Sequence, residues 1–132
     1  MLTHAQRQYF DDQLEQVLKG LPPSVHQIIE EVPLVVEDYP APDVLAEHGI
    51  EDPHELCGLY SGTPLTEPEV RDATRAFDHI LLYRAGIFAA AANDEGQVHD
   101  EALREQIRIT ILHEVGHHHG LDEDDLEELG YE

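Results

Sequence analysis

One segment near the end of the chain, residues 100–119, constrains the fold more than any other. Its apolar side chains recur at helical spacing and form one broad face. They are Leu103, Ile107, Ile111, Leu112 and Val115. The spacing predicts a long helix that Asp100 caps and Gly120 ends, with one side in the core of the protein. In such a helix His113 and His117 point the same way, because residues four apart share a face.

These two histidines belong to the pattern His-Glu-x-x-His, in which Glu114 follows the first histidine. Two imidazoles at this separation can ligate one Zn²⁺ ion, and the glutamate can take a proton from water bound to the metal. The sequence therefore predicts one zinc ion per chain, His113 and His117 as metal ligands, and Glu114 as the general base. The alternative is a polar helix terminus in which the helix dipole stabilises the histidines.

A third ligand is expected just beyond the helix. Gly120 lies three residues after His117 and lets the backbone turn sharply, so that a later side chain can return to the metal. In the extended pattern this ligand stands three residues after the glycine, and here that residue is Glu123. Asp122 and Asp124 also offer oxygen atoms that Zn²⁺ accepts. They stay open as alternatives, as does a site without a third protein ligand.

The rest of the chain predicts helices and a few short strands. A capping box at Thr3 begins the first helix. The other predicted elements are a helix over 24–31, strands over 33–39 and 79–85, a strand or hairpin edge over 57–65, a helix over 86–94 and a short helix from 122. A chain of 132 residues has the length of one domain. We therefore predict a single α+β domain, residues 1–132, with a small mixed sheet, the long helix and a short C-terminal helix.

The charge of the chain limits its partners. It carries 7 Lys and Arg against 29 Asp and Glu, a net charge of −22. This argues against nucleic acid and anionic membranes, because both are polyanions. It permits a basic substrate or a cation, and adaptation to high salt also produces it. Cys57 is the single cysteine, which excludes an intrachain disulfide. Without an apolar leader or an apolar run of membrane-spanning length, the chain is expected to be cytoplasmic.

The segment HEVGHHHGLDEDDLEELG resembles the small bacterial zincin-like metallopeptidase family, whose minimal domain carries His-Glu-x-x-His-x-x-Gly-x-x-Asp. Residues 57–65, CGLYSGTPL, resemble that family's Gly-Leu-Tyr-x-Gly-x-Pro-Leu segment, and residues 79–88 resemble its strand and short helix. The resemblance extends from about residue 30 to the end. It implies a zincin-like α+β fold with a catalytic-type zinc site and a peptidase of unassigned substrate. Glu123 stands where the family pattern has Asp.

These observations predict a zinc-dependent peptidase acting on a peptide or protein substrate, basic or neutral in charge. One alternative is a metal-binding regulatory or interaction domain with weak or no activity, which the small size and the missing Met-containing turn favour. A metal-dependent nuclease is disfavoured by Glu114 and by the net charge. A metal-free acidic protein that docks on a basic partner is the remaining alternative.

Two further expectations concern the substrate. A peptide is expected to extend along the strand over 79–85, taken as a sheet edge. Candidate donors for the developing oxyanion are Tyr83, Arg84, His118 and Tyr131. Tyr131 is also the candidate to pack beneath the metal ligands, in the place of a Met-containing turn.

Overall fold

The computed structural model describes residues 1–61 and 78–118. Its helices are α1 (His4–Gly20), α2 (Pro23–Glu31), α3 (Pro42–Glu47), α4 (Arg84–Ala91) and α5 (Asp100–His118), and its strands are β1 (Leu34–Glu37), β2 (Gly58–Ser61) and β3 (His79–Tyr83). Among these helices none is long and apolar enough to cross a membrane. The predicted α+β class is confirmed. The short C-terminal helix predicted from Asp122 lies outside the described residues.

The three strands form one mixed sheet in the order β1-β3-β2. β1 pairs parallel with β3, and β2 pairs antiparallel with β3, so that Gly58 lies opposite Leu82. β3 is therefore the central strand, and the expectation that the strand over 79–85 forms an edge was wrong. The physical reason is that β1 and β2 both pair with it. Its burial agrees with this position, because four of its five residues are buried, as in strands that are covered on both faces.

Local signals set the ends of the helices. The Thr3 hydroxyl accepts a hydrogen bond from the Gln6 N–H at 3.1 Å, and the Gln6 side chain accepts one from the Thr3 N–H at 2.8 Å. The predicted capping box is thus present at the start of α1. α5 begins one residue earlier than expected, because Asp100 is its first residue and not its cap. The Leu103 N–H donates to the His99 carbonyl at 2.9 Å.

The apolar face of α5 packs against α1 and the sheet. The five residues predicted for this face are all buried, none of them more than 1% exposed. They share one core with Phe10 and Leu14 of α1 and with Ile80 and Leu82 of β3. Burying a side chain of this size stabilises the fold by about 1.5–3 kcal/mol. This packing sets the orientation of α5, and with it the direction in which His113 and its neighbours face.

Ion pairs tie the start of α4 to two other elements. Arg84 pairs with Asp11 of α1 at 2.9 Å and with Asp38, which follows β1, at 3.0 Å. Arg7 also pairs with Asp38 at 2.7 Å. The Arg84 side chain is only 14% exposed, so solvent screens these contacts less than it screens surface pairs. The Arg84 guanidinium therefore connects α4 to α1 and to the end of β1 through these ion pairs.

Candidate metal centre and active site

Two histidine side chains meet near the end of α5. The rings of His113 and His117 have centroids 4.5 Å apart and are inclined at 56°. His113 is half-buried, and the His117 side chain is 48% exposed. One ligand atom each from His113, Glu114 and His117 lie within 4.8 Å of one another. The helix therefore brings two imidazoles and one carboxylate together at a solvent-accessible position.

This donor set fits a zinc ion. Two nitrogen atoms on a tetrahedral Zn²⁺ stand roughly 3.3 Å apart, because each Zn–N bond is about 2.0–2.1 Å long. The ligand atoms of His113 and His117 lie within 4.8 Å, and rotation of the exposed His117 side chain can shorten such a separation. Imidazole nitrogen is among the ligands that zinc prefers in proteins. The residues present are thus chemically suited to the metal.

Glu114 differs from the two histidines in its surroundings. The residue is 6% exposed. Its Oε1 accepts a hydrogen bond from the Tyr60 N–H at 2.9 Å and lies 3.4 Å from Nδ1 of His117. Burial raises the pKa of the Glu114 carboxyl above its usual value, and the electrostatic influence of His113 and the hydrogen bond from the Tyr60 N–H oppose this shift. One carboxylate oxygen is therefore held by the backbone of β2 beside the histidine pair.

The pairing of β2 explains why the Tyr60 N–H faces α5. The carbonyl of Cys57 accepts a hydrogen bond from the Tyr83 N–H at 2.8 Å. In an antiparallel pair, residues that bond to the neighbouring strand alternate with residues whose backbone groups point away from it. Tyr60 stands three positions after Cys57 and is of the second kind. Its N–H therefore leaves the sheet on the side of the Glu114 carboxylate.

Gly58 allows β2 and α5 to come this close. A Cβ atom on Gly58 would stand 2.7 Å from Cγ2 of Thr110 and 2.9 Å from the Leu81 carbonyl oxygen. It would also stand 3.4 Å from Cγ of Glu114. Since real Cβ atoms do not approach other atoms within 3.0 Å, a side chain at position 58 would push α5 away from the strand. The glycine thus permits the contact between β2 and Glu114.

A buried carboxylate anchors the other end of Tyr60. The Tyr60 hydroxyl donates to Oδ2 of Asp78 at 2.7 Å, and Asp78 is 2% exposed. The ring and the backbone of Tyr60 are therefore both held, one by Asp78 and one by Glu114. Sequence reasoning missed Tyr60 and Asp78 as parts of the site. The available signal was the position of Tyr60 inside the segment 57–65, which carries part of the family resemblance.

Several predicted residues stand elsewhere. Arg84 is engaged by Asp11 and Asp38. Tyr83 is fully buried, and burial, followed by the negative charges of Glu37 and Asp43, raises its pKa to about 12. Neither side chain is available as an oxyanion donor, and both of those expectations were wrong.

The remaining predicted residues lie outside the described structure. They are the third-ligand residue Glu123, its alternatives Asp122 and Asp124, Gly120 and Tyr131. The described helix ends at His118, before all of them. Of the predicted ligands, the described part of the chain therefore contains His113 and His117, with Glu114 beside them.

A family model described as a zincin-like metallopeptidase matches residues 29–131. The chain therefore belongs to the zincin-like metallopeptidase family, as the sequence motifs predict. The match runs from α2 through the sheet and α5 and includes the His113–His117 pair. No curated protein matches the chain. Membership in this family implies a metal, typically zinc, and hydrolase chemistry.

Proposed function

We propose that the protein is a zinc-dependent peptidase in which His113, His117 and Glu123 hold the metal and Glu114 acts as the general base. One observation carries this proposal. In a member of a metallopeptidase family, two imidazoles and a buried carboxylate offer ligand atoms within 4.8 Å of one another. Metal-assisted peptide hydrolysis can use two histidines four residues apart as metal ligands, with a glutamate directly after the first histidine as the base.

Glu114 suits the role of base better than that of ligand. One of its oxygens already accepts the Tyr60 N–H at 2.9 Å, and the residue is 6% exposed. A carboxylate fixed in this way beside the metal site can receive a proton without rearranging. The opposite assignment, with Glu114 as the third ligand, would compete with the backbone hydrogen bond that holds it.

The chemistry divides between the metal and the chain. Zinc, when bound, supplies a Lewis acid that polarises the scissile carbonyl and acidifies water at the site. His113 and His117 fix the position of the ion. Glu114 takes the proton of the attacking water and delivers it to the leaving amine, so that its own charge is restored at the end of the reaction.

The substrate is proposed to lie along β2. Among the described strands β2 pairs on one side alone, with β3. Its other side faces α5, and there the Tyr60 N–H already donates to Glu114. An extended peptide that follows β2 therefore passes beside the general base and would use backbone groups of the strand other than that N–H. This replaces the strand over 79–85, which is the sheet centre, as the expected docking strand.

Metal content is the first test. Protein purified without an affinity tag should hold one zinc ion per chain by mass spectrometry, and His113→Ala should lose it. His26→Ala is the matched control, because His26 is an exposed histidine of α2 and should leave the zinc in place. Absence of zinc from the wild type, even after reconstitution, would contradict the proposal.

The third ligand needs its own set of variants. Glu123→Ala is expected to reduce zinc content sharply, whereas Asp122→Ala and Asp124→Ala should retain the metal. Loss of zinc in one of the aspartate variants, with retention in Glu123→Ala, would transfer the ligand role to that aspartate.

Activity is tested with Glu114→Gln, which keeps the size of the side chain and removes its basicity. Cleavage of a peptide library should fall by roughly 10²–10⁴-fold, while zinc content stays that of the wild type. A wild-type protein that holds zinc but cleaves no peptide would support the metal-binding regulatory domain instead.

A further inference from the structure

A cavity opens directly beside the metal-site residues. It has a volume of about 270 Å³ and lies between α5 and the segment that leads into β2. His113 and Glu114 are among the residues that line it. Glu114 lines this cavity and also accepts a hydrogen bond from the β2 backbone. A peptide lying along β2 would therefore place one of its side chains at the cavity, close to the bond that is cleaved.

Most of the surface that lines the cavity is apolar. Leu56 and Cys57 line it from the β2 side, and Ile109 and Thr110 line it from α5. Ile109 is 42% exposed, which makes it one of the few large apolar side chains outside the core in the described residues. It stands four residues before His113 and therefore on the same face of α5. An aliphatic chain entering the cavity would cover the exposed surface of Ile109 and be stabilised by that contact.

A carboxylate also belongs to the lining of the cavity. Glu55 is exposed and lines the cavity. No lysine or arginine of the described residues lines the cavity with it. The described cations are all engaged in other contacts: Arg7 with Asp38, Lys19 with Glu15, Arg84 with Asp11 and Asp38, Arg104 with Gln13, and Arg108 with Glu105. None of these five cationic side chains is thus paired with Glu55.

We propose that this cavity is a substrate subsite for a basic side chain, lysine or arginine, adjacent to the scissile bond. The inference rests on the proposed peptidase function. The aliphatic stem of the side chain lies against Leu56 and Ile109, and its cationic end reaches the Glu55 carboxylate. Lysine and arginine combine an apolar stem with a charged head in this way, and the net charge of −22 draws cationic peptides toward the molecule.

The test measures peptide binding separately from cleavage. Zinc-loaded Glu114→Gln protein binds fluorescent peptides without turning them over. A positional series of peptides presents lysine, arginine, norleucine or glutamate at each site in turn, and affinity is read by fluorescence anisotropy. At one position, lysine and arginine should bind about three- to fivefold tighter than the uncharged norleucine, which is the advantage of an exposed ion pair. This advantage should shrink at about 0.5 M NaCl, where exposed charges are screened.

Matched variants assign the preference to the cavity. Adding Glu55→Gln should abolish the advantage of lysine over norleucine, whereas adding Glu51→Gln, an exposed glutamate nearby in sequence that does not line the cavity, should keep it. Adding Ile109→Ala should weaken lysine and norleucine peptides alike, because both lose the stem contact. Adding Val35→Ala, a 38% exposed valine of β1, should change neither.

The outcomes separate this inference from the proposed function. Equal affinity for lysine and norleucine at every position, equal effects of Glu55→Gln and Glu51→Gln, or no binding by any peptide would each overturn the subsite. Cleavage by the wild type without a basic preference would leave the peptidase standing and the subsite wrong. The expected binding pattern without any cleavage by the wild type would reject the peptidase, and with it the role of the cavity as a substrate subsite, and would leave only a binding pocket for basic side chains.

Discussion

Asp78 is a carboxylate taken almost fully out of solvent, and the hydroxyl of Tyr60 donates to it at 2.7 Å. Tyr60→Phe removes this donor and keeps the ring. Because a buried group that loses its partner retains the cost of desolvation, we expect the free energy of unfolding to fall by about 1–3 kcal/mol. Urea unfolding measures the change.

Tyr39→Phe is the control for this prediction. Tyr39 is half-buried, and its ring lies edge-on to His54, with centroids 5.6 Å apart. Removal of its hydroxyl should change the stability by less than about 0.5 kcal/mol. Equal losses in the two variants would show that the Tyr60 hydroxyl contributes nothing specific to Asp78.

Cys57 gives a prediction in pH. Burial raises the pKa of the Cys57 thiol, and the negative charge of Glu114 adds to the shift. Since the thiolate is the reactive form, iodoacetamide should modify folded protein at pH 8 several-fold more slowly than protein unfolded in urea. The folded thiol also keeps its proton to higher pH than the unfolded one. The free energy of unfolding should therefore decrease as the pH rises through the unfolded thiol pKa, about 8.5.

Mass spectrometry of the alkylated chain measures the first effect, and urea unfolding between pH 7 and pH 10 measures the second. Cys57→Ser is the reference for both, because it removes the single thiol. Equal alkylation rates in the folded and unfolded states would contradict the burial argument.

The site residues that could be predicted from the sequence are those whose relation is local. His113 and His117 share a face because of helical spacing alone, and Glu114 stands between them in sequence. The partner of Glu114 is different, because the Tyr60 N–H belongs to a backbone 54 positions away. Any residue type except proline could supply that N–H, so the side chain at position 60 gives no sign of the contact.

At the scale of elements, the approach of α5 to β2 depends on Gly58. Gly58→Ala would set a methyl group 2.7 Å from Thr110 Cγ2 and 2.9 Å from the Leu81 carbonyl oxygen. The oxygen belongs to the neighbouring strand and cannot rotate away, so the helix or the strand must shift. We expect a loss of about 1–3 kcal/mol in the free energy of unfolding, as for other overpacked positions.

Gly20→Ala is the matched control for that helix–strand contact. Gly20 ends α1, and a Cβ atom there would have no neighbour within 4 Å. The substitution should stabilise by up to about 1 kcal/mol, because alanine restricts the unfolded chain. Urea unfolding of both variants compares them directly. A Gly58→Ala protein as stable as the wild type would mean that α5 and β2 can separate at little cost.

Some features of the helices and strands depend on local sequence signals, and others depend on contacts between distant segments of the chain. α1 begins where its capping box predicts, and the buried face of α5 contains the five residues that its spacing predicts. The order of the strands was not predictable by such signals, because β3 lies between β1 and β2 only after chain segments far apart in sequence have paired. The burial of β3 follows from that order. A short apolar run in the sequence does not show whether its strand lies at the edge or at the centre of a sheet.

At the scale of the whole molecule, the dominant property is an excess of acidic residues, 29 against 7 basic ones. The described basic side chains form specific contacts, and several of them hold elements together, such as Arg84 between α1 and the end of β1. Because carboxylates outnumber lysines and arginines about fourfold, they repel one another in the compact state. The fold holds this charge because its core is uninterrupted from α1 through β3 to α5.

Screening of that repulsion should stabilise the protein. At low ionic strength the repulsion between distant carboxylates is felt across the molecule, whereas the Debye length shrinks to about 8–10 Å near 0.1–0.15 M salt. The Tm, followed by circular dichroism, should therefore rise by several degrees between about 0.02 and 0.3 M NaCl and then level off. A general salting-out effect would instead grow steadily with concentration and be larger in sulfate than in chloride. A Tm that stays constant or falls over the low range would mean that salt weakens ion pairs such as Arg84–Asp38 more than it relieves the repulsion.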